Sequence, residues 1–444
     1  ENYSTKNIDL HRPYVDGIVL VSSKGEPMKR ESDLIDVWFD SGAMPYAQLH
    51  YPFENKEKFE QHYPADFICE AIDQTRGWFY TLTVLSTALH NKPAFKNCIC
   101  TGLLMAEGGQ KLSKRLKNYP DPNEVLDSIG SDALRWFLLN GTAPGQDTRF
   151  SYTKMDAAWN FINKLWNASR FVIMNLPEDA KPAQKPDTSK FDLADAWIFD
   201  RLNHTVKETN RLFDEFQFGE AGREMYNFIW NDFCDWYIEI SKVALYGDDA
   251  ELKARKQANL TWILDQILRL IHPIMPFVTE KLWLSMPHEG KSIMTAAYPE
   301  AHAEFDNAKA DEDMAFLIEI IKAVRTIRME VNAPMSSAID ILIQLDDEKN
   351  EAILRDNMEY VENFLHPKKL EISGKIKAPK LAKTAVIAGA QIFVPLSELV
   401  DLDEEIAKMG KEEARLEAEV DRASKKLANK GFVDHAPERS EEHT

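Results

Sequence analysis

The sequence has few cysteines and no long uninterrupted apolar run. Its four cysteines are Cys69, Cys98, Cys100 and Cys234, and no two of them form a Cys-x-x-Cys pair, which argues against a zinc ribbon and a disulfide framework. No apolar run reaches the roughly 20 residues that span a bilayer, and residues 1–4 lack the basic and apolar parts of a signal peptide. We therefore expect a cytoplasmic protein with no membrane contact, no structural zinc and no metal ligands of its own.

Basic residues are also fewer than acidic residues. Lys and Arg number 53 against 72 Asp and Glu, which gives a formal net charge of -19. Such a sum disfavours a uniformly basic nucleic-acid-binding protein, but it does not exclude one basic face between acidic flanks. The 444 residues, 44% of them hydrophobic, are enough for two or three domains with separate cores.

The most informative segment is the lysine loop, residues 107–115, in which Lys111 and Lys114 follow the pair Gly108-Gly109. Two ammonium groups on a flexible loop suit a departing pyrophosphate, because they can form charge-assisted hydrogen bonds as the anion gains charge. A solvated basic turn is the alternative that the loop alone leaves open.

Upstream, residues 67–80 predict a strand, a polar loop and an amphipathic helix. Ligands of open α/β sheets bind beyond the carboxyl ends of the strands, so Glu70, Asp73 and Gln74 would face a bound nucleotide or amino acid. An ordinary helix cap is the alternative. A second apolar run, 97–105, predicts the next strand and precedes the lysine loop. Both polar loops are then expected on the same edge of one sheet. Cys98 and Cys100 are expected on one face of the second strand, as buried thiols.

The lysine loop resembles the Lys-Met-Ser-Lys-Ser signature of class I aminoacyl-tRNA synthetases, with Leu112 in place of Met and Arg115 in place of the final Ser. Segments 36–42 and 73–79 resemble the subgroup that charges large aliphatic amino acids. The resemblance runs from about residue 8 to about residue 437.

This resemblance implies roles for individual residues. Glu70 would contact the aminoacyl-adenylate, Lys114 would bind ATP, and Lys111 would assist at the phosphates. Trp38 and Trp78 are similar to the tryptophans that wall the family's amino-acid pocket, where a rigid aromatic surface favours an apolar substrate. Without the resemblance, core packing would be the simpler explanation for both tryptophans. ATP, accompanied by Mg²⁺, is the implied cofactor, and tRNA is the implied partner.

The sequence points to two different amino acids. Residues 9–122 are similar to isoleucyl enzymes, whereas 141–151, 159–171 and 393–406 are similar to valyl enzymes. The valyl match covers the larger share of the chain. Valine is therefore the favoured substrate and isoleucine the alternative. A third possibility is that the chain joins pieces of two related genes near residue 130.

A mixed fold with five segments is predicted. They are the carboxyl half of an α/β Rossmann-like catalytic domain (1–150), an all-α anticodon-binding bundle (151–335), a small α/β unit (336–398), a truncated coiled-coil tRNA-binding arm (399–434) and a tail (435–444). In the bundle, helices are expected over 193–216, 220–246 and 252–284, the last kinked at Pro273 and Pro276. Its tryptophans are expected in the core, namely Trp197, Trp230, Trp236 and Trp262. Candidate tRNA contacts are Lys164, Arg170, Lys322, Arg325 and Arg328, each of which could instead lie on a solvated helix face.

Class I synthetases also carry a His-Ile-Gly-His signature, and these 444 residues contain none. The resemblance therefore predicts a fragment that cannot form adenylate by itself. We also expect the protein to be a monomer. Two other classes remain open, a non-catalytic tRNA-binding protein and an unrelated nucleotide-binding enzyme with a coincidental lysine loop.

Overall fold

The computed structural model describes residues 9–113, 115–116, 118–140, 143–334, 337–396 and 402–428. The chain divides into two compact units. The first comprises Glu1–Ser128, Leu138–Lys154 and Asp214–Glu220, and the second comprises Ile129–Phe137, Met155–Phe213 and Ala221–Thr444.

The first unit combines short helices with three two-stranded sheets among its described residues. The helices are α1 Val37–Gly42, α2 Met44–Ala47, α3 Lys56–His62, α4 Trp78–His90 and α5 Pro122–Ile129, and α6 Ser131–Leu139 follows at the boundary between the units. The strands are β1 Leu20–Val21, β2 Pro27–Met28, β3 Ala65–Ala71, β4 Phe95–Thr101, β5 Leu104–Met105 and β6 Thr148–Arg149. β1 and β2 pair in antiparallel fashion, whereas β3 pairs with β4 and β5 with β6 in parallel.

The β3-α4-β4 segment confirms the predicted strand, loop and helix, whereas the single strand predicted over 97–105 is divided into β4 and β5, which belong to separate sheets. The parallel register runs from Ala65 opposite Phe95 to Ala71 opposite Thr101, so both strands end at the same edge. A buried cluster beneath α4 fixes this arrangement, and it consists of Ile68, Phe79, Leu82 and Ala94. The polar loop with Asp73 and Gln74 begins at this edge, whereas the lysine loop begins farther along the chain, after β5 Leu104–Met105.

The second unit is mainly helical. After α7 Tyr152–Met174, its helices are α8 Leu193–Asp214, α9 Phe218–Asn227, α10 Ile238–Tyr246, α11 Ala250–Ile271, α12 Pro276–Trp283 and α13 Ala308–Glu330. A π-helical segment, Phe228–Tyr237, joins α9 to α10, so the predicted helix over 220–246 is continuous but not uniformly α-helical. Short 3₁₀ turns lie at Ile72–Arg76, Thr188–Lys190, Ile293–Thr295 and Ala303–Phe305.

The helix predicted over 252–284 is two helices rather than one kinked helix. α11 ends at Ile271, and α12 begins with Pro276 at its first position. Proline has no N–H to donate within a helix, but it is well suited to a first turn, where that donor would be unpaired. Trp197, Trp236 and Trp262 are buried as predicted, whereas Trp230 is only half-buried.

The second unit also contains a four-stranded sheet with the order β8-β7-β10-β9. Its strands are β7 Ile339–Leu345, β8 Pro367–Ser373, β9 Ala382–Ile387 and β10 Ala390–Pro395, and two helices, α14 Glu348–Asp356 and α15 Met358–Leu365, follow β7. β7 and β8 are parallel, whereas the other two pairs are antiparallel. The predicted strands are the two central ones. A last helix, α16 Leu402–Ala428, lies within the segment predicted to be a coiled coil.

Candidate functional site

Three of the predicted site residues meet around Gly77, at the start of α4. The Gln74 side-chain oxygen accepts a hydrogen bond from the Trp78 backbone N–H at 2.9 Å. The Trp78 indole N–H donates to the Ser41 carbonyl oxygen in α1 at 3.2 Å. A Cβ at Gly77 would lie 2.8 Å from the Gln74 side-chain oxygen and 3.2 Å from the Trp38 ring. Gly77 therefore lets both tryptophans and the amide approach one another.

Glu70 and Asp73 lie on either side of the end of β3. Glu70 is the penultimate residue of β3 and pairs in register with Cys100 of β4, whereas Asp73 lies in the 3₁₀ turn that follows. Both side chains are exposed, and the Gln74 amide lies 3.4 Å from an Asp73 carboxylate oxygen. The edge beyond β3 thus carries two carboxylates and one amide, which is a polar rim beside the tryptophans.

The lysine loop is a short β-turn structure anchored on β5. Met105 and Lys111 form an antiparallel bridge, and the Gly109 backbone N–H donates to the Ala106 carbonyl at 2.7 Å. Gly109 has φ +78°, a left-handed conformation that favours glycine, and a Cβ there would lie 3.3 Å from the Arg149 guanidinium carbon. The Lys111 side chain is exposed and forms no ion pair with Glu70 or Asp73 in the part of the chain that is described. Lys114 lies outside the described residues.

Asn118 closes the loop from its other side. Its side-chain oxygen accepts from the Ser113 backbone N–H at 2.8 Å, and its side-chain nitrogen donates to the Lys111 carbonyl at 3.1 Å. Sequence reasoning missed this residue, although an asparagine close behind a glycine-rich loop is a common backbone-bonding signal.

Gly102 fixes the connection between β4 and β5. A Cβ at Gly102 would lie 2.0 Å from the Gln146 carbonyl oxygen, so the two backbones approach more closely than any side chain permits. The Asp147 carboxylate accepts from the Leu103 N–H at 2.8 Å, and the Thr148 N–H donates to the Leu103 carbonyl at 2.9 Å. The segment 143–150 therefore supports the strand from which the lysine loop begins.

The prediction that Cys98 and Cys100 are buried is wrong. Cys98 is exposed and Cys100 is half-buried. The buried cluster under α4 covers β3 and the beginning of β4, and it does not extend to these two thiols among the described residues. Cys69 on β3 is also exposed, and partial burial together with the Glu70 carboxylate raises the pKa of its thiol.

The candidate tRNA contacts on α7 lie beside exposed aromatic side chains. Trp159 and Trp166 are 48% and 39% exposed, and residues seven apart lie on the same side of a helix. Arg170 is exposed on the same helix. The Lys164 ammonium lies 3.8 Å from the Trp230 ring centroid and 2.5 Å from an Asp235 carboxylate oxygen, so it is already engaged within the bundle.

The three candidates on α13 differ from one another. Lys322 is exposed, with its ammonium 6.0 Å from the Trp236 ring centroid, and Arg325 is half-buried against the same ring. Arg328 is only 1% exposed and donates to the carbonyls of Pro334, Ser337 and Leu365. The predictions of an RNA contact and of a solvated face are both wrong for Arg328, because its guanidinium is used to satisfy buried backbone carbonyls.

Two kinds of feature are absent from the described residues. Their helices include none that is both long and apolar enough to cross a bilayer. No group of three or more His, Cys, Asp or Glu side chains in the described ranges could hold a metal ion.

Three family models match the sequence. The class I tRNA synthetase model (I, L, M and V) matches residues 1–151, the anticodon-binding domain of tRNA ligase matches 195–343, and the valyl tRNA synthetase tRNA binding arm matches 401–443. Valine–tRNA ligases of Lactobacillus johnsonii and Lactobacillus acidophilus are each 67% identical over 413 residues, which is 93% of this chain and 47% of the relative. The chain therefore spans about half the length of these curated relatives.

The alignment to the Lactobacillus johnsonii enzyme extends across residue 130, near which a join of two related genes was considered. Because 413 of the 444 residues align, a single valine–tRNA ligase accounts for sequence on both sides of residue 130. A solved ternary complex of the Agrobacterium radiobacter K84 LeuRS with tRNA and LeuAMS matches at a TM-score of 0.54 and 18% identity, covering 65% of this chain and 36% of that one. This likeness shows a shared fold.

Proposed function

The chain belongs to the class I tRNA synthetases of the I, L, M and V family, and we propose that it acts in the ATP-dependent joining of valine to tRNA through an aminoacyl-adenylate. The observation that carries the proposal is the pair of segments that follow β3 and β4 in the first unit. There the cluster of Trp38, Gln74 and Trp78 follows β3, and the lysine loop follows β4 through β5. Adenylate formation requires an apolar pocket wall and a phosphate-binding loop, and these two segments would supply them.

In the first step, a carboxylate oxygen of valine attacks the α-phosphorus of ATP, and the bond from that phosphorus to the departing pyrophosphate breaks. The pyrophosphate gains negative charge as this bond lengthens. Lys111 and Lys114 would stabilise that charge, and Mg²⁺ bound to ATP would share the task. Glu70, Asp73 and Gln74 would hold the adenylate by accepting and donating hydrogen bonds at the edge of the sheet.

Trp38 and Trp78 would form the wall against which the aliphatic side chain packs. Trp78 is held by its hydrogen bond to Ser41 and by the bond that its backbone donates to Gln74, so its ring is fixed before a substrate arrives. Trp38 is 45% exposed and lies against Gly77, which leaves ring surface for a ligand. Valine is favoured over isoleucine because the relatives that align across the chain are valine–tRNA ligases.

The helical part of the second unit would bind tRNA. The anticodon-binding and tRNA-binding-arm matches support this proposal, as do the exposed Trp159, Trp166 and Arg170 of α7. Aromatic rings and guanidinium groups are the usual stacking partners of unpaired RNA bases. We include in the same proposal that the protein works as a cytoplasmic monomer, which equilibrium sedimentation and fractionation would check.

The test is aminoacylation by a hybrid enzyme, in which the part of this chain that aligns replaces the corresponding segment of the Lactobacillus johnsonii valine–tRNA ligase. We expect valine to be attached to valine tRNA, with little attachment of isoleucine to isoleucine tRNA. Binding of valine tRNA without charging would favour a non-catalytic tRNA-binding protein. Binding of ATP without tRNA binding would favour the unrelated nucleotide-binding enzyme.

A further inference from the structure

Arg149 lies beside the lysine loop, in the sheet formed by β5 and β6. Met105 of β5 pairs in parallel with Arg149 of β6, and it also forms the antiparallel bridge with Lys111. The Phe150 backbone N–H donates to the Met105 carbonyl at 2.9 Å, which fixes this register. Residues paired across neighbouring strands project their side chains to the same face. Lys111 and Arg149 therefore share one face on either side of Met105, separated by two strand spacings, about 10 Å in all.

The Arg149 guanidinium reaches the turn that precedes Lys111. A Cβ at Gly109 would lie 3.3 Å from both the guanidinium carbon and the Nε of Arg149, and 3.4 Å from one of its terminal nitrogens. A side chain at position 109 would thus crowd this group, whereas Gly108 has nothing within 4 Å of the corresponding point. Gly109, unlike Gly108, therefore leaves room for a guanidinium against the lysine loop.

The donors of this guanidinium have no partner within the described ranges of the chain. The Arg149 side chain is exposed, and no carboxylate or carbonyl of those residues accepts a hydrogen bond from it. The Asp147 carboxylate, two positions earlier, accepts from a backbone N–H instead. By contrast, Arg12 and Arg30 of the same unit both form ion pairs with Asp16. An arginine that is seated against the lysine loop but has no partner there is suited to an anion that arrives as a ligand.

The chemistry of the two cations suits a polyphosphate. A guanidinium presents parallel N–H donors that match two oxygens of one phosphate, whereas an ammonium acts as a point charge. A single carboxylate offers two oxygens, which the guanidinium alone would satisfy. A pyrophosphate group has oxygens for both cations, so it would meet Lys111 on one side of Met105 and Arg149 on the other.

We propose that the Arg149 guanidinium binds the β- and γ-phosphates of ATP opposite Lys111 and stabilises the pyrophosphate as it departs. The inference rests on the proposed function and adds a catalytic residue to it. As the valine carboxylate oxygen forms its bond to the α-phosphorus, the bond from that phosphorus to the bridging oxygen breaks, and its electron pair remains on the pyrophosphate. Arg149 transfers no proton, because a guanidinium stays charged in proteins. It donates hydrogen bonds to the oxygens that gain charge.

The first experiment measures the binding of inorganic pyrophosphate, in the presence of Mg²⁺, to the 444-residue chain by isothermal titration calorimetry. Arg149→Ala should weaken binding about tenfold or more, as expected when hydrogen bonds to a charged group are lost. Arg149→Lys keeps the charge without the fork and should show an intermediate loss of about threefold. The matched control is Arg12→Ala, which removes an exposed arginine of the same unit and should bind as tightly as the natural chain.

Amide hydrogen exchange separates contact with the ligand from support of the loop. The Gly109 N–H donates to the Ala106 carbonyl at 2.7 Å, and the Ala106 N–H donates to the Gln110 carbonyl at 2.8 Å, so both amides report on the turn. In the absence of ligand, we expect them to exchange at the same rate in Arg149→Ala as in the natural chain. Faster exchange that accompanies the loss of binding would show that Arg149 only supports the turn, and would overturn the direct contact.

The hybrid enzyme tests the same contact during the reaction. Arg149→Ala should lower the kcat of valine-dependent ATP–pyrophosphate exchange about tenfold or more, while the KM for valine changes less than about twofold, because the guanidinium would act at the phosphates. Arg12→Ala should leave both constants unchanged. An unchanged kcat in Arg149→Ala would contradict the proposed role.

The binding results distinguish this contact from the proposed function. If the natural chain binds pyrophosphate and Arg149→Ala binds it as tightly as Arg12→Ala does, the Arg149 contact is overturned and the proposed function stands. If the natural chain binds no pyrophosphate, the contact is overturned as well, and attachment of valine by the hybrid enzyme decides the proposed function separately. Weaker pyrophosphate binding in Arg149→Ala, with unchanged amide protection of the turn, supports the contact.

Discussion

The side-chain oxygen of Asn118 accepts a hydrogen bond from the backbone N–H of Ser113 at 2.8 Å. The same side chain donates to the Lys111 carbonyl at 3.1 Å, so one amide holds both sides of the lysine loop. The position of the Lys111 backbone is thus set before any phosphate arrives. Pre-positioned charge of this kind is more effective than charge that must first be ordered.

Asn118→Ala should loosen the lysine loop without unfolding the unit. Loss of a hydrogen bond worth about 1 kcal/mol should speed local opening roughly fivefold, and amide hydrogen exchange at Ser113 measures it. Asn118→Asp keeps the acceptor for Ser113 and should exchange less rapidly than Asn118→Ala. Asn123→Ala, a change at an exposed position on α5, is the control. Equal protection of Ser113 in all three variants would contradict the role of Asn118.

Gly102→Ala should disrupt the β5-β6 pairing. The new methyl group would lie 2.0 Å from the Gln146 carbonyl oxygen, so the backbone has to move, at a cost of about 2 kcal/mol or more. The amides of Thr148 and Phe150, which donate to Leu103 and Met105, should lose exchange protection. Gly108→Ala is the matched control, because nothing lies within 4 Å of the point that its new methyl group would occupy. Similar protection in both variants would show that the close approach is unimportant.

A buried ionic cluster links α8 to α11. The Lys256 ammonium lies 2.6 Å from an Asp195 carboxylate oxygen and 2.7 Å from one of Asp192, and the Tyr237 hydroxyl donates to Asp195 at 2.7 Å. Burial raises the pKa of Asp192, but the charge and hydrogen bond of Lys256 outweigh it, and the pKa lies below its ordinary value. Asp192 therefore stabilises the fold above the ordinary carboxyl pKa of about 4, and this contribution is lost as pH falls through the lowered value.

Asp192→Asn should accordingly lower the free energy of unfolding by about 1.5 to 3 kcal/mol at pH 7, the range for a hydrogen bond to a charged group. The deficit should shrink as the pH is lowered below about 4, because Asp192 is protonated first in the unfolded chain and then, at its lowered pKa, in the folded protein. Urea unfolding at pH 7, 5 and 3 measures it, with Asp346→Asn as a control at an exposed carboxylate. A deficit of constant size from pH 7 to pH 3 would argue against the ionic role.

Arg328 should be among the most sensitive residues of the second unit. Arg328→Met would leave the carbonyls of Pro334, Ser337 and Leu365 without their buried donor, which should cost about 3 to 5 kcal/mol. Arg170→Met, at an exposed position on α7, should change stability by less than about 0.5 kcal/mol. Chemical denaturation of both variants tests this, and comparable stabilities would mean that the carbonyls find other donors.

The sequence predicts strands well where the pattern is apolar and poorly at sheet edges. β7 and β10 are central and were predicted from their runs of Ile, Leu, Phe and Val, whereas β8 and β9 are the edge strands and were missed. β8 begins Pro367-Lys368-Lys369, and β9 contains Lys383, which are features that protect edges from further pairing and also hide the strand pattern. Edge strands have only one hydrogen-bonded neighbour, so burial constrains their sequence less.

The same distinction applies to the site. Glu70, Gln74, Trp38, Trp78 and Lys111 could be selected because their residue types carry chemistry and their segments resemble a family. Gly102, by contrast, approaches the backbone of Gln146, which is distant in sequence, and the Arg328 guanidinium donates to the carbonyls of Pro334, Ser337 and Leu365. Such roles depend on which segments the fold brings together, and no local pattern reports them.

The most direct test of the catalytic proposal is valine-dependent ATP–pyrophosphate exchange in the hybrid enzyme with Lys111→Ala. We expect kcat to fall about a hundredfold or more while the KM for valine changes less than about threefold, because the lysine would act on charge that develops in the transition state. Lys96→Ala, which removes an exposed lysine of the same unit paired with Asp66, should leave both constants unchanged. An unchanged kcat in Lys111→Ala, or a KM for valine that rises as much as kcat falls, would contradict the role assigned to the lysine loop.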